Sequence, residues 1–282
     1  MKLVALTGVC IQIEYTFYLH FNFFIEDQNF VSMLNNFTKR QSFIRYGDNN
    51  WNSLTGFEQV VTDGKATYYA IDYGNSRIIT YNHYWEYQSY QKLPYRFTNG
   101  VKYVAGYFYF SANDYFYKTD SRFAKINEYK KAYANYRQCV FDSKNSKFYV
   151  PSRNFKRIDV FDRSCSFLEF INLRIQEPSA LAIYNSIIYV GLFKSNQVLV
   201  IENSLIAKSF TVDQYAEQMG ISVDSFGYLA IVCYASQLIA VYDSNGNYTN
   251  TQISTSRFPH TVSTDASGRL VVMTARSLDI YY

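Results

Sequence analysis

The sequence is poor in the residues that carry most recognisable chemistry. Its 282 residues include 4 Cys, 3 His and 2 Trp. Cys10, Cys139, Cys165 and Cys233 lie far apart with no close pair, which excludes a disulfide scaffold and a thiolate metal site and leaves them as small core residues. No stretch reaches the roughly eighteen consecutive apolar residues that a spanning helix needs, so a polytopic helical membrane protein is excluded. Gly-rich phosphate loops and HExxH, GxSxG and CxxC patterns are all absent, which leaves catalysis with little positive support. Helix formers dominate no segment.

What is present points to sheets. Hydrophobic residues make up 48% of the chain and charged residues 18%, enough to bury a core. The 29 Tyr and 23 Phe pack on pleated surfaces more readily than on helices, which tilts the reading to an all-β protein.

A repeat organises most of the chain. The segment from Asp72 to Asn82 has turn residues, an alternating apolar run and a closing turn residue, and it recurs at 156–162, 196–202, 237–243 and 277–282. Taking Ile78, Ile158, Val198, Ile239 and Leu278 as equivalent leaves one gap of about eighty residues and three of about forty, so the first gap hides one copy, at Phe116 or Tyr117. A second landmark agrees: Asp63, Asp142, Asp224 and Asp265 each follow an apolar run and open a hairpin, where a short acceptor can bond the turn backbone. Asn185 and Gly106 fill that slot in the fourth and second copies.

Each unit reads as four short strands, and such units repeated radially make a β-propeller. The sixth copy supplies only three strands before Tyr282, and the strand-like run 41–47 resembles the missing outer one. The expectation is therefore an all-β, six-bladed β-propeller of four-stranded antiparallel blades, closed by an N-terminal strand joining the C-terminal blade. It spans 41–282, with 1–40 as a leader. The aromatic residues are expected to fill the space between blades in every unit.

The pattern of Asp72, Asn75, Arg77, Ile78, Tyr81 and Asn82 resembles an NHL repeat, and Arg153 to Asp162 is similar to it. Later copies replace the Arg-Ile pair with Gln-Val, Gln-Leu and Ser-Leu, so the chain resembles the broader TolB-like six-bladed group. That resemblance implies two enzymatic alternatives at the channel: a three-histidine zinc lyase or a lactonase-type hydrolase with Glu, Asn and Asp on a divalent cation. Only His260 lies at the entry to an inner strand, so the zinc set cannot be built from the ring. No catalytic residue, metal or cofactor is assigned, and the recurring Asp residues read as turn caps.

Charge placement is more informative. Loops between units, and between second and third strands, share one propeller face, and cations outnumber acids there, while the hairpin face is acidic. The expected site is non-enzymatic: Arg96, Lys130, Lys131, Arg137, Arg153, Phe155, Arg257 and His260, cations interleaved with aromatics, recognising a protein or other anionic macromolecule. Single-stranded RNA stacked on the rings is the third class considered. The leader could be a short signal peptide from Leu3 to Ile13 or carry an amphipathic helix capped by Asp27, but Gln12 and Glu14 arrive early and no small-x-small cleavage site follows. A cytoplasmic monomer is the working expectation.

Overall fold

The computed structural model describes residues 5–6, 9–10, 39–43, 57–63, 67–96, 98–174, 176–212, 220–255, 258–264, 269–274 and 278–281. For those before 59 only the backbone pairing is described. The expected helix after Asp27 lies outside these residues. Ala5–Leu6 and Val9–Cys10 pair as a minimal antiparallel hairpin.

Six four-stranded antiparallel sheets follow the repeat. Blade 1 runs Phe57–Thr62, Tyr68–Asp72, Arg77–Tyr81, Tyr87–Lys92, and blade 2 runs Thr98–Val104, Tyr107–Ala112, Tyr115–Thr119, Lys125–Lys130. Blade 3 is Val140–Asp142, Lys147–Ser152, Arg157–Phe161, Phe167–Asn172, and blade 4 is Pro178–Tyr184, Ile187–Leu192, Gln197–Glu202, Leu205–Thr211. Blade 5 is Ile221–Val223, Leu229–Cys233, Leu238–Tyr242, Tyr248–Ser254. Blade 6 takes Pro259–Thr264, Leu270–Thr274 and Leu278–Tyr281 from the end of the chain and Lys39–Phe43 from near its start. In that closure Leu278 pairs with Phe43, Asp279 with Ser42 and Ile280 with Gln41. The closing strand begins at Lys39 and ends at Phe43.

The apolar pattern changes across a blade because burial does. Leu229–Cys233 is apolar at every position and buried at every position, since neighbouring blades cover both its faces. Outer strands such as Lys125–Lys130 are exposed along nearly their whole length and carry the charge. Six separate cores result, one between each pair of adjacent blades, and the core that joins Val271, Met273 and Ile280 to Val60, Ala70 and Ile79 closes the ring. Phe116, not Tyr117, is the second-copy counterpart of Ile78: it packs toward blade 3 as Ile78 packs toward blade 2.

The aromatic residues do not fill all six interfaces alike. Phe108, Phe110, Tyr117, Tyr69 and Phe123 crowd the space between blades 1 and 2, and Tyr109, Phe116, Tyr136, Phe148 and Phe161 that between blades 2 and 3. Between blades 3 and 4 the buried residues are aliphatic except for Tyr149. The expectation of an aromatic filling repeated six times is therefore corrected: rings fill some interfaces and branched aliphatics fill that between blades 3 and 4.

Turn chemistry explains the regular blade ends. Asn82, Asp120, Asp162 and Asp243 each accept, through Oδ1, the backbone N–H groups two and four residues on, at 2.8 to 2.9 Å. The residue three on has positive φ each time: Trp85 at 65°, Phe123 at 63°, Cys165 at 62° and Gly246 at 89°. For Trp85 the left-handed backbone is costly, and the buried ring stacked on Tyr68 at 4.1 Å offsets it.

Candidate functional site

On the face formed by the loops between blades and between second and third strands, blades 3 and 4 gather several of the expected residues. The turn after Ser152 is closed by Lys156 N–H donating to the Arg153 carbonyl at 3.1 Å, with Lys156 at φ 52°. Arg153 N–H donates to the Asn135 carbonyl. The Arg153 guanidinium lies over the Phe193 ring, 3.2 Å from its centroid, and its Nε is 3.1 Å from Glu177 Oε2. Burial lowers the Arg153 pKa first of all, Glu177 opposes that, and the neighbouring Arg137 charge adds to the lowering. Two guanidinium groups thus share one field. A pocket of about 520 Å³ lies beside them, lined by Arg153, Gln176, Glu177, Leu192, Phe193, Lys194 and Ser195.

Lys131 Nζ sits 4.8 Å from the centre of the Phe155 ring, which is 42% exposed. Lys130 instead leans over Tyr115, whose ring stacks on Tyr95 at 4.0 Å. Arg96 is exposed in the linker between blades 1 and 2, and no described contact draws it to Arg153. His260 lies across the ring on blade 6, its ring edge-on to Tyr234, which stacks on Phe258. Burial lowers the His260 pKa, which keeps the imidazole neutral at pH 7. Arg257 lies outside the described residues.

The Asp residues that open the first hairpins act on backbone. Asp142 Oδ1 accepts from Lys144 and Asn145, and Asp224 Oδ1 from Phe226 and Tyr228. Asp63 Oδ1 accepts from Thr67. Ala105 and Gly106 take paired positive φ values, the tightened turn expected at the second copy, and Asn185 and Ser186 do the same in the fourth. Asp265 lies outside the described residues.

The repeat motif also has a physical content. Asp72 is fully buried, and its Oδ2 accepts from Asn75 at 2.9 Å and from Arg77 at 2.8 Å. In blade 3 Ser152 occupies the Asp72 position, and Arg157 finds its carboxylate on Asp159, 2.6 Å away in the same strand.

The central channel is where residue-type reasoning missed most. The six innermost strands line a cavity of about 390 Å³. Their side chains form registered layers: Lys102 pairs across its blade with Tyr109 as Val61 does with Tyr69, Val140 with Tyr149, Ala182 with Tyr189, Ser222 with Ala230 and Ser263 with Val271. Lys102 is the one charged residue among those lining the cavity. Burial pushes its pKa below that of an ordinary lysine. Gly100 sets the approach of its strand to blade 3, since a Cβ there would stand 2.8 Å from both Gln138 Cα and Cys139 N and would strike Ser111 Oγ. Side chains stitch neighbouring inner strands around the ring: Gln59 to Val101 N at 2.7 Å, Ser263 to the Val60 carbonyl at 3.2 Å, and Ser222 to Thr264 at 3.0 Å. Among the described residues no group of three or more His, Cys, Asp or Glu side chains could hold a metal ion, and no helix is long and apolar enough to cross a membrane.

Comparison with known proteins finds the same architecture. No protein-family model matches the chain and no curated protein matches it. Among solved structures it is similar to a streptogramin B lyase, with a TM-score of 0.63 at 10% identity over 79% of this chain and 78% of that one. Virginiamycin B lyase from Staphylococcus aureus gives a TM-score of 0.64 at 15% identity over 82% of this chain and 80% of the other. A catalytically inactive variant of that lyase with quinupristin gives 0.66 at 12% identity, over 86% and 99%. At these identities the likeness is one of fold: a six-bladed propeller, with chemistry left to the residues each chain carries.

Proposed function

We propose that this propeller is a non-enzymatic binding module that receives an acidic protein segment on the face of blades 3 and 4. The observation that carries the reading is Arg153, held flat on Phe193 by Glu177 at the edge of a pocket with Lys194 on its rim. A guanidinium already stacked and oriented has little freedom left to lose on pairing with a carboxylate, and an aromatic base beneath it favours a planar or apolar neighbour. Arg137 adds a second positive charge to the field around Arg153, and Lys131 over Phe155 supplies another cation–aromatic pair. Glu177 beside Arg153 argues for a partner with spaced carboxylates over a polyphosphate, whose dense charge this acid would oppose.

Fluorescence anisotropy with a panel of labelled peptides containing spaced Asp and Glu around an aromatic residue tests the reading. Lys131→Glu with Lys194→Glu should abolish peptide binding while thermal unfolding stays unchanged, and Lys208→Glu on the outer edge of blade 4 should leave it intact. Undiminished binding by the double variant sinks the proposal. So does tighter binding of oligouridylate than of any peptide.

A further inference from the structure

The channel cavity on the opposite side of the ring has features that a turn-stabilised scaffold does not need. Five of the six positions in the Lys102 layer are Val, Ala or Ser, so a lysine there is an exception within its own repeat. Its ammonium has no described carboxylate or hydrogen-bond partner, and the cavity lining contains no acid that could neutralise it. The residue is half-buried and lines the cavity with its charge unbalanced there, so an anion bound beside it would complement it.

The next layer toward the hairpin end is apolar on four sides. Tyr103, Phe141, Ile183 and Val223 line the cavity there, and all four are only half-buried, leaving hydrocarbon surface turned to the open channel. Thr62 and Thr264 complete that layer. A cavity of about 390 Å³ lies within the size range of small-molecule sites, and its one cation set among apolar walls matches their usual composition.

We propose that the channel binds a small organic carboxylate, its anionic group received by the Lys102 ammonium and its hydrocarbon body lying on Tyr103, Phe141, Ile183 and Val223. One lysine balances one negative charge, which suits a monoanion. A phosphate dianion would need more donors than the one ammonium supplies. Binding also counteracts the desolvation of Lys102, since a carboxylate beside the ammonium favours the charged form. This site is independent of the basic face.

Calorimetric titration of the full chain with phenylacetate, benzoate and hexanoate tests the proposal, with phenylacetamide and inorganic phosphate as the neutral and dianionic comparisons. At least one carboxylate should bind in the millimolar range or tighter, and Lys102→Met should weaken it about tenfold or more, as loss of a charge-assisted hydrogen bond does. Phenylacetamide should bind Lys102→Met and the natural chain alike. Ile183→Trp, which fills the cavity and leaves the charge in place, should also remove binding and keeps the proposal testable should Lys102→Met fold poorly. Equal carboxylate affinity in Lys102→Met, no carboxylate binding up to about 10 mM, or phosphate binding more tightly than every carboxylate would overturn it.

Discussion

The Tyr136 hydroxyl donates to Asp159 Oδ2 at 2.7 Å, and both residues are fully buried. Tyr136 comes from the linker that enters blade 3 and Asp159 from that blade's third strand. Asn99 of blade 2 donates to the Tyr136 carbonyl at 2.6 Å, so the pair also ties two blades together.

Removing one hydroxyl should therefore be felt. Tyr136→Phe leaves Asp159 with Arg157 alone, and the expected loss is about 1–3 kcal/mol of unfolding free energy in urea. Asp159→Ala strands the Arg157 guanidinium, 15% exposed, and should cost more, about 3–5 kcal/mol. If Tyr136→Phe unfolds at the same urea concentration as the natural chain, the bond does not contribute.

Stability should fall at alkaline pH. Burial is the leading cause of raised pKa values at Tyr81, Tyr109, Tyr117, Tyr136 and Tyr281, with Tyr109 and Tyr281 pushed up to about 12. Below the ordinary tyrosine pKa of about 10 both folded and unfolded chains keep these protons; above it only the unfolded chain releases them, and the equilibrium shifts toward unfolding. Sheet circular dichroism should be lost together with the last rise in tyrosinate absorbance, the part that the buried rings contribute above about pH 10. Full ionisation of these tyrosines without unfolding would contradict the burial.

Three cysteines should be silent. Burial raises the thiol pKa to about 11 at Cys139 and about 12 at Cys165 and Cys233. Thiolate is the reactive form, so none of the three should be labelled by iodoacetamide at pH 8 in the native protein, and all should be labelled in denaturant. Peptide mass spectrometry reads both states.

Proline in the closing strand should open the ring. Gln41→Pro with Ser42→Pro covers both phases of the ladder, removes the one N–H of the two that faces Leu278–Tyr281, and weakens the cover over that strand's edge. Loss of several degrees in Tm together with aggregation on heating is expected. An unchanged melting curve would mean that the closure adds nothing.

The sequence revealed the blades more clearly than the site because repetition reports on shared turns and shared burial. Asp142 and Asp224 recur because the longer first hairpins need the same bond to their backbone, and Ile78 and Ile158 because every interface needs an apolar residue there. Lys102 is hidden for the converse reason: it departs from the other five copies, so the repeat does not report it. Comparing Lys102 with Val61, Val140, Ala182, Ser222 and Ser263 would have exposed it. The basic face was legible as charge sorted by loop, but the stacking of Arg153 on Phe193 depends on two blades meeting. The uneven aromatic filling was hidden too, since composition reports how many rings exist and not which interface takes them.

The strand Lys39–Phe43 has a further consequence, for synthesis. Its partner Leu278–Tyr281 follows five complete blades later in the sequence, so during translation Lys39–Phe43 waits while those blades are made, and their pairing is the contact of greatest sequence separation within a blade. The ring is therefore sealed last, and a nascent chain that lacks Leu278–Tyr281 is an open arc with unpaired strand edges, a state that chaperones and proteases can tell from the closed ring.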